Sequence, residues 1–145
     1  MSLLSPTDQQ TLRDSFAKMT RRVKLLFFTQ AIGCETCLET RQILDEIAAL
    51  TDQVVIEEGN LVLDKDRAAS FGIDRAPGIV LLAGEDDEDT RIRFLGEPAG
   101  YDFLSLVDAI LAASGGSEQT LSDASLAAVA GLAEPITVRV FVTPT

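Results

Sequence analysis

The sequence contains no histidine and no tryptophan, and only two cysteines. Without histidine, serine–histidine and cysteine–histidine catalysis and every imidazole metal site are excluded. Two cysteines cannot complete a four-thiolate zinc or iron–sulfur site within one chain. Basic residues are few: 12 against 23 acidic ones, a net charge of −11. Phosphate backbones are gripped by clustered Lys and Arg, so no nucleic-acid partner is expected. No apolar run approaches the roughly 18 residues of a membrane span. Met1 to Gln10 is polar and lacks the basic-then-apolar pattern of a secretion leader. The chain therefore reads as soluble and cytoplasmic, with no membrane partner. In that compartment a disulfide is seldom a permanent staple, so both cysteines need another explanation. No G-x-G-x-x-G follows a strand, and no cofactor or metal is expected.

What is present suits one domain of ordinary size, or one domain with an appendage: 145 residues, 46% of them hydrophobic. Ser5-Pro6-Thr7-Asp8 has the makings of a capped helix start, followed by Leu12, Phe16 and Met19 at helical spacing. Val23 to Thr29 is an apolar, β-branched run interrupted only by Lys24, the pattern of a central strand buried on both faces. Cys34 to about Leu50 reads as a helix with Leu38, Leu44, Ile47 and Ala48 inside. Val54–Glu57 reads as a second strand with a further stretch through Leu63, Lys65–Phe71 as a short helix and Ile79–Ala83 as a third strand. The acidic run Glu85–Asp89 lacks the spaced ligands and internal glycine of a calcium loop and reads as a solvated hairpin tip. Arg91–Leu95 follows as an antiparallel edge, then a helix over Tyr101–Ala113 with Phe103, Leu104, Val107, Ile110 and Leu111 inside. Ser114-Gly115-Gly116-Ser117 is the clearest linker, leading to a capped helix (Ser122 to about Leu132) and a strand (Ile136–Val142). Parallel crossovers followed by a hairpin give an α/β fold with a central mixed β-sheet flanked by helices.

Gly33-Cys34-Glu35-Thr36-Cys37 falls where a strand ends and a helix begins. Two cysteines three apart at a helix start can close a disulfide with little backbone movement. The free N–H groups and positive end of the helix favour thiolate at the first, the form that attacks disulfides. Cys34 is therefore the expected nucleophile and Cys37 the resolving thiol. Competing explanations are a metal shared with a second subunit, an inert structural disulfide, and a chance pair of buried thiols. Ala76-Pro77-Gly78 directly precedes a strand, where proline belongs at an edge or a special turn. A cis Ala76–Pro77 bond would expose backbone able to pair with an extended substrate segment. An ordinary trans proline starting the strand is the alternative.

The ordered set Val23–Thr29, Cys34-Glu35-Thr36-Cys37, Arg75-Ala76-Pro77 and Phe94 through Phe103 resembles the thioredoxin/glutaredoxin superfamily. Within it, the likeness is greatest to the amino-terminal half of glutaredoxin-like protein disulfide oxidoreductases, which carry two thioredoxin-fold units in tandem. The resemblance implies a thioredoxin-like fold and thiol–disulfide exchange with protein disulfides, using electrons from a separate reductase. It implies Cys34 as the attacking and Cys37 as the resolving cysteine, with Ala76 and Pro77 at the substrate-binding edge. The Pro-Tyr pair typical between glutaredoxin cysteines is absent, and the glutathione-binding pattern is not reproduced.

The resemblance also implies a division of the chain. Residues 1–114 would be one thioredoxin-like unit with an extra leading helix. Residues 115–145 would be a linker, helix and first strand of a truncated second unit, whose loss would impair any internal relay. An internal echo agrees: Leu12 and Phe27-Phe28-Thr29 parallel Leu126 and Phe141-Val142-Thr143 at a constant offset of 114 residues. Strand 136–142, left without its own sheet, would self-associate. Two other functions compete: a non-catalytic thioredoxin-like scaffold with a vestigial dithiol, and an electron-relay domain serving a flavoprotein reductase.

Overall fold

The computed structural model describes residues 2–143. Its elements are α1 (Pro6–Phe16), β1 (Val23–Thr29), α2 (Cys37–Ala48), β2 (Val54–Asn60), α3 (Lys65–Ser70), β3 (Gly78–Ala83), β4 (Glu88–Leu95), α4 (Tyr101–Ala113) and α5 (Asp123–Ala130). The sheet runs β2-β1-β3-β4. β1 and β2 are parallel, while β3 is antiparallel to both β1 and β4. This is the expected mixed sheet flanked by helices.

Local chemistry accounts for most of these boundaries. The Ser5 hydroxyl oxygen accepts the Asp8 N–H at 3.2 Å, and Pro6 opens α1 where its missing N–H costs nothing. Along β1, Val23, Leu25 and Phe27 face the larger core with α1, α2 and α4. Leu26 and Phe28 face the opposite side, against Val80, Leu82 and the α3 flank. Both faces of β1 are thus covered, as its apolar run demands. Lys24 fits this strand because its ammonium reaches Glu57 at 3.0 Å and also pairs with Asp87. The acidic hairpin tip is therefore pinned as well as solvated: Arg22 holds Asp87 at 3.2 Å and Arg21 holds Glu88 at 3.0 Å.

Four expectations are corrected. The second helix begins at Cys37, with Thr36 at its N-cap, and not at Cys34. Gly33, at a positive φ of 77°, turns the chain after β1, and the bends that follow delay the helix by three residues. The buried stripe of α2 is Cys37, Thr40, Ile43, Leu44 and Ile47, which leaves Leu38 78% exposed. On α4 the inner face runs through Leu106, Val107, Ile110 and Ala113, so Leu104 points to solvent. Finally, Ile136–Val142 forms no strand. A β-prone segment needs a neighbouring strand for its backbone groups, and no described residue supplies one. α5 forms as expected, capped by Ser122, yet none of its residues is buried. Of the predicted Thr143-Pro144-Thr145 ending, Pro144 and Thr145 lie outside the described residues, as does Met1.

Candidate active site

Strand register brings four connections to one end of the sheet. Thr29, the last residue of β1, pairs with Asn60, the last of β2. Phe28 pairs with Gly78, the first residue of β3, and Gly78 pairs with Leu95, the last of β4. The loop carrying Cys34, the segment 61–64, the Ala76–Pro77 turn and the loop 96–100 therefore all emerge together. The predicted residues Cys34, Cys37, Ala76 and Pro77 all belong to this end.

Cys34 and Cys37 form a disulfide with their Cα atoms 5.6 Å apart. The two differ in access: Cys34 is half-buried, whereas Cys37, the first residue of α2, is 6% exposed. Thr36 makes no side-chain capping bond, so no cap occupies the N–H groups of the first turn. The Thr40 N–H and hydroxyl both return to the Thr36 carbonyl, at 2.9 and 2.8 Å, and stiffen that turn. An uncapped, positively polarised helix start beside two sulfurs is an environment that stabilises a thiolate.

The Ala76–Pro77 peptide is cis, and Pro77 is buried. The Pro77 carbonyl accepts the Gly96 N–H at 2.9 Å, carrying the β3–β4 ladder one rung further. Gly78 lets the chain close here. A Cβ on it would lie 2.7 Å from the Ile73 side chain and 3.0 Å from the Arg75 carbonyl oxygen. Outside the turn, the Arg75 guanidinium bonds Asp74 at 2.8 Å and holds that carboxyl below the usual range.

An apolar rim surrounds this end of the sheet: Ile32 is 89% exposed, and Leu38, Val62, Leu63 and Tyr101 are also exposed. Nothing in the residue order reveals this rim, because helical periodicity turns Leu38 inward and places Val62-Leu63 in a strand extension. Nor is Gly78 recognisable there as a packing position, since its neighbours Ile73 and Arg75 meet it only in the fold.

A cysteine pair between the first strand and its crossover helix, at the same end of a mixed four-stranded sheet as a cis-proline turn, is the arrangement of a thioredoxin-like unit. The chain has the thioredoxin-like fold of its structural neighbours, with a C-x-x-C pair at Cys34 and Cys37. It is similar to a solved amino-terminal domain of alkyl hydroperoxide reductase from Enterococcus faecalis, with a TM-score of 0.74 and 33% identity over 85% of this chain and 57% of that one. A protein disulfide oxidoreductase from Aeropyrum pernix matches with a TM-score of 0.72 and 26% identity, over 88% of this chain and 55% of that one. Among curated sequences, an alkyl hydroperoxide reductase polypeptide of Staphylococcus epidermidis is 39% identical over 77 residues, 53% of this chain and 12% of that protein. The chain spans between 11% and 13% of the length of the curated relatives it matches. No protein-family model matches the sequence.

Proposed function

We propose that the protein is a thiol–disulfide oxidoreductase acting on protein disulfides through Cys34 and Cys37. One observation carries this reading: a disulfide at a strand–helix junction whose first sulfur belongs to a half-buried residue and whose second belongs to a buried one. In the reduced form, the Cys34 thiolate attacks a substrate disulfide, and one substrate sulfur leaves as thiolate and takes up a proton. Cys37 then loses its proton and attacks the Cys34 sulfur, releasing the second substrate thiol and forming the disulfide of the structure. Two electrons pass to the substrate, and a separate dithiol reductase restores them. Ala76 and Pro77 supply backbone for an extended substrate segment, and the Ile32–Leu38–Leu63 rim suits apolar side chains on either side of it. A cytoplasmic setting, where dithiols cycle, fits this activity.

A second reading is favoured by the likeness to alkyl hydroperoxide reductase. Here the same dithiol relays electrons from a flavoprotein to a protein acceptor, and the chemistry at Cys34 and Cys37 is unchanged. A scaffold with a vestigial dithiol is the weaker reading, because it has no use for a half-buried Cys34 beside an uncapped helix start. Residues 115–145 are proposed to open a second unit, supported by the 114-residue echo and the α5 helix.

The test is insulin reduction driven by dithiothreitol. The protein is expected to accelerate precipitation at least about tenfold over dithiothreitol alone, a gain of about 1.4 kcal/mol in the barrier. Cys34→Ser is expected to remove that gain. Equal rates for the two proteins, both folded, would defeat the proposal.

A further inference from the structure

Thr40 lies one turn into α2, and with Ser114 it is one of two buried polar side chains among the described residues. Ser114 closes the end of α4, donating to the Leu111 carbonyl and accepting the Gly116 N–H. Thr40 instead spends its hydroxyl on a carbonyl that already has a partner. The Thr36 oxygen accepts the Thr40 N–H at 2.9 Å, and the Thr40 hydroxyl donates to the same oxygen at 2.8 Å. A hydroxyl bonded back to the carbonyl four residues earlier adds nothing to helix stability and slightly lowers it. The carbonyl is satisfied without it, so the second bond has another consequence.

That carbonyl belongs to the Thr36–Cys37 peptide, whose other polar group is the Cys37 N–H. At a helix start the N–H groups of Cys37, Leu38 and Glu39 have no partner within the helix, and Thr36 offers them no side-chain cap. A carbonyl that gains a donor polarises its amide, so the N–H across the same peptide becomes a stronger donor, the more so away from water. Cys37 is buried and Cys34 half-buried, so this peptide is partly shielded from solvent. Side-chain charges give an anion at Cys34 little help. Glu35 and Glu39 flank the cysteines, and Asp64, Glu97 and Asp102 stand on neighbouring segments of the same end. Arg75 is bonded to Asp74, Arg41 to Asp45 and Glu58, and Lys65 is exposed to solvent. Like charges disfavour a thiolate, which leaves the backbone donors to stabilise it.

We infer that Thr40 is a positioning residue for the dithiol. Its hydroxyl holds and polarises the Thr36–Cys37 peptide, so that the Cys37 N–H donates to the Cys34 sulfur when that sulfur is an anion. The inference rests on the reading of Cys34 as the attacking thiol. Thr40 touches neither substrate nor sulfur in this account, and its hydroxyl keeps its proton throughout. In the disulfide there is no anion to receive the bond, so the hydroxyl favours the reduced, ionised form selectively.

The experiment is the pH dependence of Cys34 alkylation by iodoacetamide in the reduced protein, located by peptide mapping, with urea unfolding of the same variants. Thr40→Val keeps the shape and removes the hydroxyl, whereas Thr40→Ser keeps the hydroxyl. The wild-type midpoint is expected below the free-cysteine value of about 8.5. Thr40→Val is expected to raise it by about half a pH unit, which below the midpoint is about a threefold loss of thiolate. Thr40→Ser is expected to keep the wild-type midpoint. If Thr40→Val does not fold, Thr40→Ala set against Thr40→Ser makes the same comparison. A structural role alone would lower the urea midpoint of Thr40→Val and leave its alkylation midpoint in place, which would overturn the inference. So would a wild-type midpoint at the free-cysteine value, or a Thr40→Ser midpoint shifted as far as that of Thr40→Val. Alkylation uses no disulfide substrate, so this inference can fail while insulin reduction persists, and hold where insulin reduction is absent.

Discussion

Glu46 on α2 accepts the backbone N–H of Leu4 at 3.1 Å, tying the start of the chain to the second helix. The same carboxylate accepts the Ser2 hydroxyl at 2.9 Å and the Leu3 N–H at 2.5 Å. Burial works against its ionisation, but these donors outweigh burial and hold its pKa below the ordinary value. A carboxyl lowered on folding stabilises the fold above its unfolded pKa of about 4.3 and loses that contribution as pH falls through its folded value. The amides of Leu3 and Leu4 should therefore be protected from exchange at pH 7 and unprotected well below pH 4. Glu46→Ala should unprotect them at pH 7 and cost about 1 kcal/mol in urea unfolding.

Lys24 makes a second pH-dependent contribution, of opposite sign. Hydrogen bonds first to Asp87 and then to Glu57 raise its pKa. Its contribution is complete below an unfolded pKa of about 10.4 and is lost as pH rises through the folded value. Glu57, lowered first by Arg67 and then by Lys24, loses its share on the acid side instead. Urea unfolding of the wild type should show a stability plateau from about pH 5 to 10, falling on both sides. Lys24→Ala leaves two half-buried carboxylates facing an empty site and should cost about 1–3 kcal/mol at pH 7.

Gly78 links packing to the site. The Cβ of Gly78→Ala would meet both a side chain and a backbone oxygen, so the 73–77 turn has to move. A loss of about 1–3 kcal/mol is expected, together with a KM for protein disulfides raised more than kcat is lowered, since the proposed substrate edge moves while the dithiol does not. Steady-state insulin reduction with urea titration separates the two effects.

Removing everything after Ser117 should leave the unit standing. α5 and the segment beyond it bury no residue, so calorimetry of the shortened chain should show an unfolding free energy within about 0.5 kcal/mol of the full chain in dilute solution.

Much of this fold is legible in the residue order. The strongest signals are local: the Ser5-Pro6 cap, the unbroken β1 run, and the dithiol and proline each placed against a strand. The readings that fail depend on neighbours far away in sequence. Leu38 and Leu104 carry the right residue type for a core, but the faces of α2 and α4 are set by what they pack against. Ile136–Val142 has every intrinsic feature of a strand, and only the absence of a pairing partner among the described residues keeps it irregular. The exposed rim of Ile32, Leu38 and Leu63 is invisible for the same reason, since apolar residues read as interior until a structure shows otherwise.

The central claim is that Cys34 attacks and Cys37 resolves. The most direct measurement is mass spectrometry of Cys37→Ser after mixing with a protein disulfide, followed by peptide mapping. A persistent mixed disulfide through Cys34 is predicted, absent from Cys34→Ser treated identically. A folded Cys37→Ser protein that traps nothing, or trapping of equal yield through Cys37 in Cys34→Ser, would contradict the account.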